Sequence, residues 1–266
     1  MRHQIILRNY SLLIFFVLTY ALSWMPWMLM VRMGRESRLL LIVGTFGPTS
    51  AALLLTGMEG GWEYLYTLLE QLWVWRVSVF WYLFSFLGTA VVAMAALGIH
   101  MVLGGEIPQF NDPRQLYLVI PILAYVLFLS VLGEEMGWRG YALPRLQKKL
   151  NALAASLIIG VVWGIWHLPQ FWMKGNFHQE IPLSLFVMQS IALSVVMTWL
   201  YNSTQSLLIV HLFHAASNTT LGILPILPMD TGGELRPLWI AVGLLWAVAI
   251  VIVIVHGPTM LSHKKG

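Results

Sequence analysis

Eight apolar runs, each about as long as a bilayer is thick, dominate this chain. They lie near 10–31, 39–58, 78–102, 116–134, 152–172, 183–201, 205–224 and 238–256. A transmembrane helix needs roughly 20 predominantly apolar residues, so the pattern predicts an all-α, polytopic membrane protein, a bundle of about eight transmembrane helices. Charged residues are only 10% of the 266, against about a quarter in a soluble domain, too few for a water-facing surface. The first run is too long for a cleaved signal peptide and no A-x-A site follows it. Pro26 inside it predicts a kink. No repeat, linker or low-complexity tract divides the chain, so residues 1–266 read as one membrane domain.

The connections carry the charge. Glu59 to Arg76, with Trp62, Trp73 and Trp75, reads as an interfacial connection, and Arg145 to Lys149 is the densest basic cluster. With eight spans both termini share one side, together with Arg2, Arg8, Arg76, Arg145, Lys148, Lys149, Lys264 and Lys265. Arg32, Arg35, Arg38, Arg114, Lys174 and Arg236 fall on the other. The bias favours termini in the cytoplasm. The net charge of +4 is dispersed over these loops, which suits a lipid bilayer and not nucleic acid. With no cysteine in the sequence, disulfides, thiolate metal sites and a cysteine nucleophile are excluded.

Ionisable groups at membrane depth are functional candidates by default, and here they form three clusters. In Gly133-Glu134-Glu135-Met136-Gly137-Trp138-Arg139, a continuing helix places Glu135 and Arg139 on one face, four apart. Glu134 is turned about 100° away, free to face a cavity. That divides the work: Glu134 reacts while Glu135 and Arg139 brace. The plain alternative is a helix end with charges at the headgroups. The second cluster is His167, just before Pro169, which ends or bends its helix; alone it reads as a packing histidine. In the third, His214 and Asn218 share a face, and His211 lies one turn earlier. Alone these are polar glue between helices.

Together, three clusters on three spans can converge in a bundle core. A carboxylate and an imidazole suit general acid–base work on water. A second histidine and an amide can donate to an oxyanion. HExxH and G-x-S-x-G patterns are absent from the sequence, and the only aspartates, Asp112 and Asp230, fall in expected loops. Zinc on Glu134, His167 and His214 stays open, since histidine and carboxylate ligands suit it.

Glu134-Glu135-x-x-x-Arg139, Trp163-x-x-x-His167 and His214-x-x-x-Asn218, in this order, resemble the motifs of the CAAX-protease and bacteriocin-processing (CPBP, or Abi) family of intramembrane proteases. The match is weaker in the first four spans, chiefly Trp24-Met25-Pro26-Trp27 and Gly47-Pro48. The second motif often carries phenylalanine where this chain has Trp163. The resemblance implies an eight-helix bundle with its catalytic core in 116–224, in which Glu134 and His167 activate water without a metal and His214 and Asn218 form the oxyanion hole. Glu135, Arg139 and His211 would support them. The prenyl-protein proteases of the family remove the last three residues of a CAAX-type C-terminus. The wording of the motifs looks bacterial, which implies a bacterial cell membrane and leaves a bacterial peptide or membrane-protein segment open as substrate. Outside catalysis, two readings stand: a membrane immunity or scaffold protein that binds a bacteriocin or another partner protein, and a transporter with a buried proton relay. The full motif set favours the enzyme. The oligomeric state is not legible.

Overall fold

The computed structural model describes residues 2–106, 117–129 and 131–262, with side chains from residue 10 onward. Arg2, Arg8, Asp112, Arg114, Lys264 and Lys265, invoked above for orientation and loops, lie outside the described side chains. The described residues form helices and short turns, with no strand among them. In chain order the helices are α1 (Arg2–Met33), α2 (Arg38–Thr45), α3 (Gly47–Glu70), α4 (Val79–Val102), α5 (Val119–Leu129), α6 (Leu143–Gln147), α7 (Ala152–Trp166), α8 (Leu183–Thr204), α9 (Leu207–Ile223) and α10 (Arg236–His256).

Six of these are long and apolar enough to cross a membrane, and the count reaches eight when two bent pairs are each taken as one span. The protein is an integral membrane protein. Its helices begin where short polar side chains satisfy the free N–H groups of the first turn. Asn151 accepts from Ala154 N at 2.8 Å and Ser206 from Ile209 N at 3.2 Å. Helices α7, α8 and α9 are the most buried, whereas α1, α4 and α10 turn apolar side chains outward, as lipid-facing helices do. Small residues let the inner helices close up: a methyl added at Gly160 would lie 2.5 Å from the backbone of Ile191.

Both bent spans depart from the sequence expectation. The second span does not stop near residue 58. It is bent by 42° between α2 and α3, where Pro48 disfavours helical geometry in the residue before it. It then continues as helix to Glu70, through a break at Gly61, whose φ of 62° suits glycine. Most of the expected connection from Glu59 to Arg76 is therefore helical, although Trp62, Trp73 and Trp75 are exposed as an interfacial belt requires. The fourth span is broken around the two glutamates and bends by 43°. Helix α1 runs through Pro26 without interruption.

Candidate active site

The break in the fourth span creates the site. After α5, Val131–Gly133 makes a tight 3-10 turn, and Met136–Ala142 is wound as a π-helix. The Leu143 N–H reaches the Trp138 carbonyl five residues back. Such turns recur at functional sites because they re-aim side chains. This one is seated backbone to backbone on the α2–α3 junction. A methyl at Gly133 would lie 2.7 Å from the Thr45 carbonyl oxygen, and one at Gly137 would lie 2.6 Å from Pro48. The Thr49 hydroxyl donates to the Leu132 carbonyl at 2.8 Å, satisfying a group that the break leaves without a helical partner.

On the inner side of the π-helix, Arg139 Nη1 donates to both oxygens of Glu135, at 2.8 and 2.9 Å. This is the bracing pair expected from the i, i+4 spacing, and both residues are fully buried. A further contact, between residues 79 apart, was not expected: His214 Nδ1–H donates to the same Glu135 Oε1 at 2.8 Å. Glu135 is thus a shared anion between a guanidinium and an imidazole, and it fixes the ring so that Nε2 is left for other partners. Arg139 has no hydrogen-bond partner for Nε or Nη2 among the described residues. Its guanidinium instead lies 5.0 Å from the Trp163 ring centroid, a cation–π arrangement.

Trp163 joins the three clusters. Its indole N–H donates to Glu134 Oε2 at 2.7 Å. The His214 ring meets it edge-on at 5.1 Å, and the His167 ring lies 5.8 Å away. The Trp163 carbonyl accepts from His167 Nδ1 at 2.9 Å. Because a carbonyl only accepts, this bond assigns the His167 proton to Nδ1 and leaves Nε2 as an acceptor. His167 caps the C-terminal end of α7, which stops before Pro169 as predicted, and α1 clamps that end. Tyr20 and Trp24 donate to the carbonyls of Val162 and Trp166 at 2.7 and 2.9 Å. The Trp27 ring packs on Trp166 at 4.6 Å. The Trp24 to Trp27 stretch in the first span therefore holds the α7 terminus, and Pro48 receives Gly137.

Glu134, His167, His214 and Asn218 all line one cavity of about 600 Å³. Its outer part is lined by the α1–α2 and α7–α8 connections, including Glu36, Arg38 and Lys174. Leu41 and Ile42 of α2 line one flank, and Tyr125 and Leu129 of α5 another. His211 is buried but does not line the cavity. Its Nδ1–H donates to the Leu207 carbonyl at 2.6 Å, a turn below His214. No three His, Asp or Glu side chains among the described residues are grouped to hold a metal ion. Glu134, His167 and His214, the set considered for zinc, line the cavity as separate groups.

Trp163 stands in the second motif, but its role as donor is invisible in that spacing. A cavity residue outside every motif is His178, on the α7–α8 connection, 3% exposed. Its ring is stacked with His167 at 5.6 Å and 24°. Its Nδ1–H donates to Asn176 Oδ1 at 2.7 Å, and its Nε2 has no partner among the described residues. Burial, with His167 alongside, holds this imidazole well below the usual histidine range. A histidine outside any motif, in a loop, offers no periodic signal.

Residues 116–220 match the family model described as type II CAAX prenyl endopeptidase Rce1-like. A protein of Methanococcus maripaludis named CAAX prenyl protease 2 is 28% identical over 191 residues, which are 68% of this chain and 67% of that protein. The matched segment contains all three motifs and most of the cavity's inner wall. A helical membrane bundle with paired glutamates, an arginine, two histidines and an asparagine at or beside one cavity fits the class of polytopic intramembrane proteases. Within it, the chain is similar over residues 116–220 to the Rce1-like CAAX endopeptidases, in keeping with the CPBP resemblance of its motifs.

Proposed function

We propose that the protein is an intramembrane endopeptidase that hydrolyses a peptide bond of a membrane-associated peptide or protein with water activated by Glu134 and His167. One observation carries this reading: Glu134, His167, His214 and Asn218, which belong to different parts of the bundle, line the same cavity. The Trp163 indole fixes Glu134 Oε2, and the Trp163 carbonyl fixes the His167 tautomer. A water between the carboxylate and His167 Nε2 passes its proton to the Glu134 carboxylate as its oxygen attacks the scissile carbonyl. The negative charge passes to the carbonyl oxygen, where the Asn218 amide and His214 Nε2–H donate to it. For His214 to donate there while Nδ1–H is engaged, its ring must carry both protons, and Glu135 is the counter-ion that this requires. Collapse of the intermediate breaks the C–N bond, and the abstracted proton leaves with the amine. This scheme uses no metal.

Similarity to an endopeptidase family supports the reaction class, and the apolar flanks on α2 and α5 suit a substrate that arrives within the bilayer. The name of the Methanococcus protein makes a prenylated C-terminal peptide the first substrate to test, beside plain membrane peptides. Detergent-purified wild type and Glu134→Gln are incubated with fluorogenic peptides of both kinds, with and without a strong chelator. The expected result is cleavage that resists chelation and is absent from Glu134→Gln. Cleavage lost on chelation and restored by zinc would refute the metal-free scheme. Equal cleavage by the variant would refute the role of Glu134.

A further inference from the structure

A second polar cavity lies at the opposite end of the bundle, where α1 and α7 begin. Its volume is about 330 Å³, and it is lined by Ser11, Leu12, Glu59, Tyr64, Arg145, Lys148 and Lys149. Three cations face one carboxylate there, and that carboxylate is already used. Glu59 accepts from Arg145 Nη2 at 2.5 Å and from the Tyr141 hydroxyl at 2.6 Å. The Arg145 guanidinium also lies 3.5 Å from the Tyr141 ring centroid. Lys148 and Lys149 are exposed, and their side chains have no hydrogen bond or ion pair among the described residues. They sit on a tight turn, with the Lys149 N–H bonded to the Leu146 carbonyl at 2.9 Å. Among the described residues, the cavity therefore holds two positive charges without a paired carboxylate, on a fixed backbone.

Its depth is set by its neighbours. Ser11 and Leu12 belong to the membrane-crossing helix α1, toward its end opposite Met33. Past Gly61, α3 turns Trp62, Tyr64 and Tyr66 outward, and such aromatics mark the headgroup level. Below the cavity, Leu13 and Val17 of α1 and Leu54 and Met58 of α3 are exposed apolar side chains. We propose that this cavity binds the phosphate group of an anionic phospholipid, with Lys148 and Lys149 as its ligands, Arg145 as a fixed positive wall, and the acyl chains along α1 and α3. The site is separate from the peptidase cavity and does not depend on the activity proposed for it.

The test is thermal unfolding of detergent-purified protein, followed by tryptophan fluorescence, with dioctanoyl phosphatidylglycerol, dioctanoyl phosphatidylcholine or inorganic phosphate. Wild type is compared with Lys148→Ala/Lys149→Ala, whose exposed positions leave the fold intact, checked by circular dichroism. Phosphatidylglycerol is expected to raise the melting temperature of wild type in a saturable manner. The double variant is expected to bind it roughly 30-fold more weakly, at about fivefold for each lysine near the surface. An equal shift in the variant, or one given equally by phosphatidylcholine, would overturn the proposal. A full shift from inorganic phosphate alone would assign the cavity to a soluble anion and equally overturn the lipid assignment.

Discussion

Glu135→Gln separates bracing from catalysis. The substitution keeps the shape of the side chain and removes the charge that faces both Arg139 and His214. Arg139 is fully buried, with Nε and Nη2 already unpaired among the described residues. Breaking a buried ion pair from one side costs about 3–5 kcal/mol, so thermal unfolding should shift strongly downward. The bond to His214 Nδ1 is also weakened, and a hydrogen bond to a charged group contributes about 1.5–3 kcal/mol. If all of that acts in the transition state, turnover falls by roughly 10- to 150-fold. A double-mutant cycle with His214→Ala, read by peptide cleavage at a temperature where every variant remains folded, assigns the route. The losses should be strongly non-additive, with a coupling of about 1.5–3 kcal/mol. Fully additive losses would refute the claim that Glu135 acts through His214. Unchanged turnover in Glu135→Gln would leave it as a brace alone.

Other outcomes follow from single contacts. Trp163→Phe retains the ring beside Arg139 but loses the N–H to Glu134; cleavage should fall by about tenfold or more, whereas Trp163→Ala should also unfold more easily. Gly137→Ala sets a methyl 2.6 Å from Pro48, and over-packing should destabilise by about 1–3 kcal/mol, seen as a lower melting temperature. His178 is depressed in the folded state by burial and by His167, so the unfolded chain binds its proton first as pH falls. Stability should therefore drop below pH of about 6.5, the ordinary histidine value, and His178→Gln should flatten the slope of melting temperature against pH between 7 and 5. With the termini cytoplasmic, the outer rim at Glu36, Arg38 and Lys174 faces away from the cytoplasm, so a cysteine placed at Lys174 should react with an impermeant maleimide in intact cells; protection there would reverse the orientation.

The sequence displayed the spans because hydropathy is local, and it displayed the Glu135–Arg139 pair because four residues of helix bring those side chains together. That pair survives even though Arg139 lies in the π-wound segment, since Glu135 and Arg139 still meet at 2.8 Å. The direction of Glu134, away from Glu135 and into a cavity, was legible from the same helical angle. The Glu135–His214 bond was not, because nothing periodic links residues on α9 to a break in the fourth span. Nor was the indole bond to Glu134, which depends on how α7 is rotated against that break. The helix beyond residue 58 was hidden by charges and tryptophans that also suit a loop. His178 owes its place to the packing of a connection whose fold no local pattern encodes.

The broken fourth span also bears on how the protein is made. Residues 119–147 carry Glu134, Glu135 and Arg139 near their middle, and charged residues such as aspartate or arginine at the centre of an inserting helix cost about 2.5–3.5 kcal/mol each. Arg139 offsets only one of the two acids locally. The partners that settle the rest, Trp163 and His214, leave the ribosome 29 and 79 residues after the glutamates they bind. The segment has no finished place in the bilayer until α7 and α9 exist. Integration of this span is expected to finish only once α7 and α9 are in place, and on the proposed mechanism the residues that serve the reaction are also those that hold their own helix in the membrane.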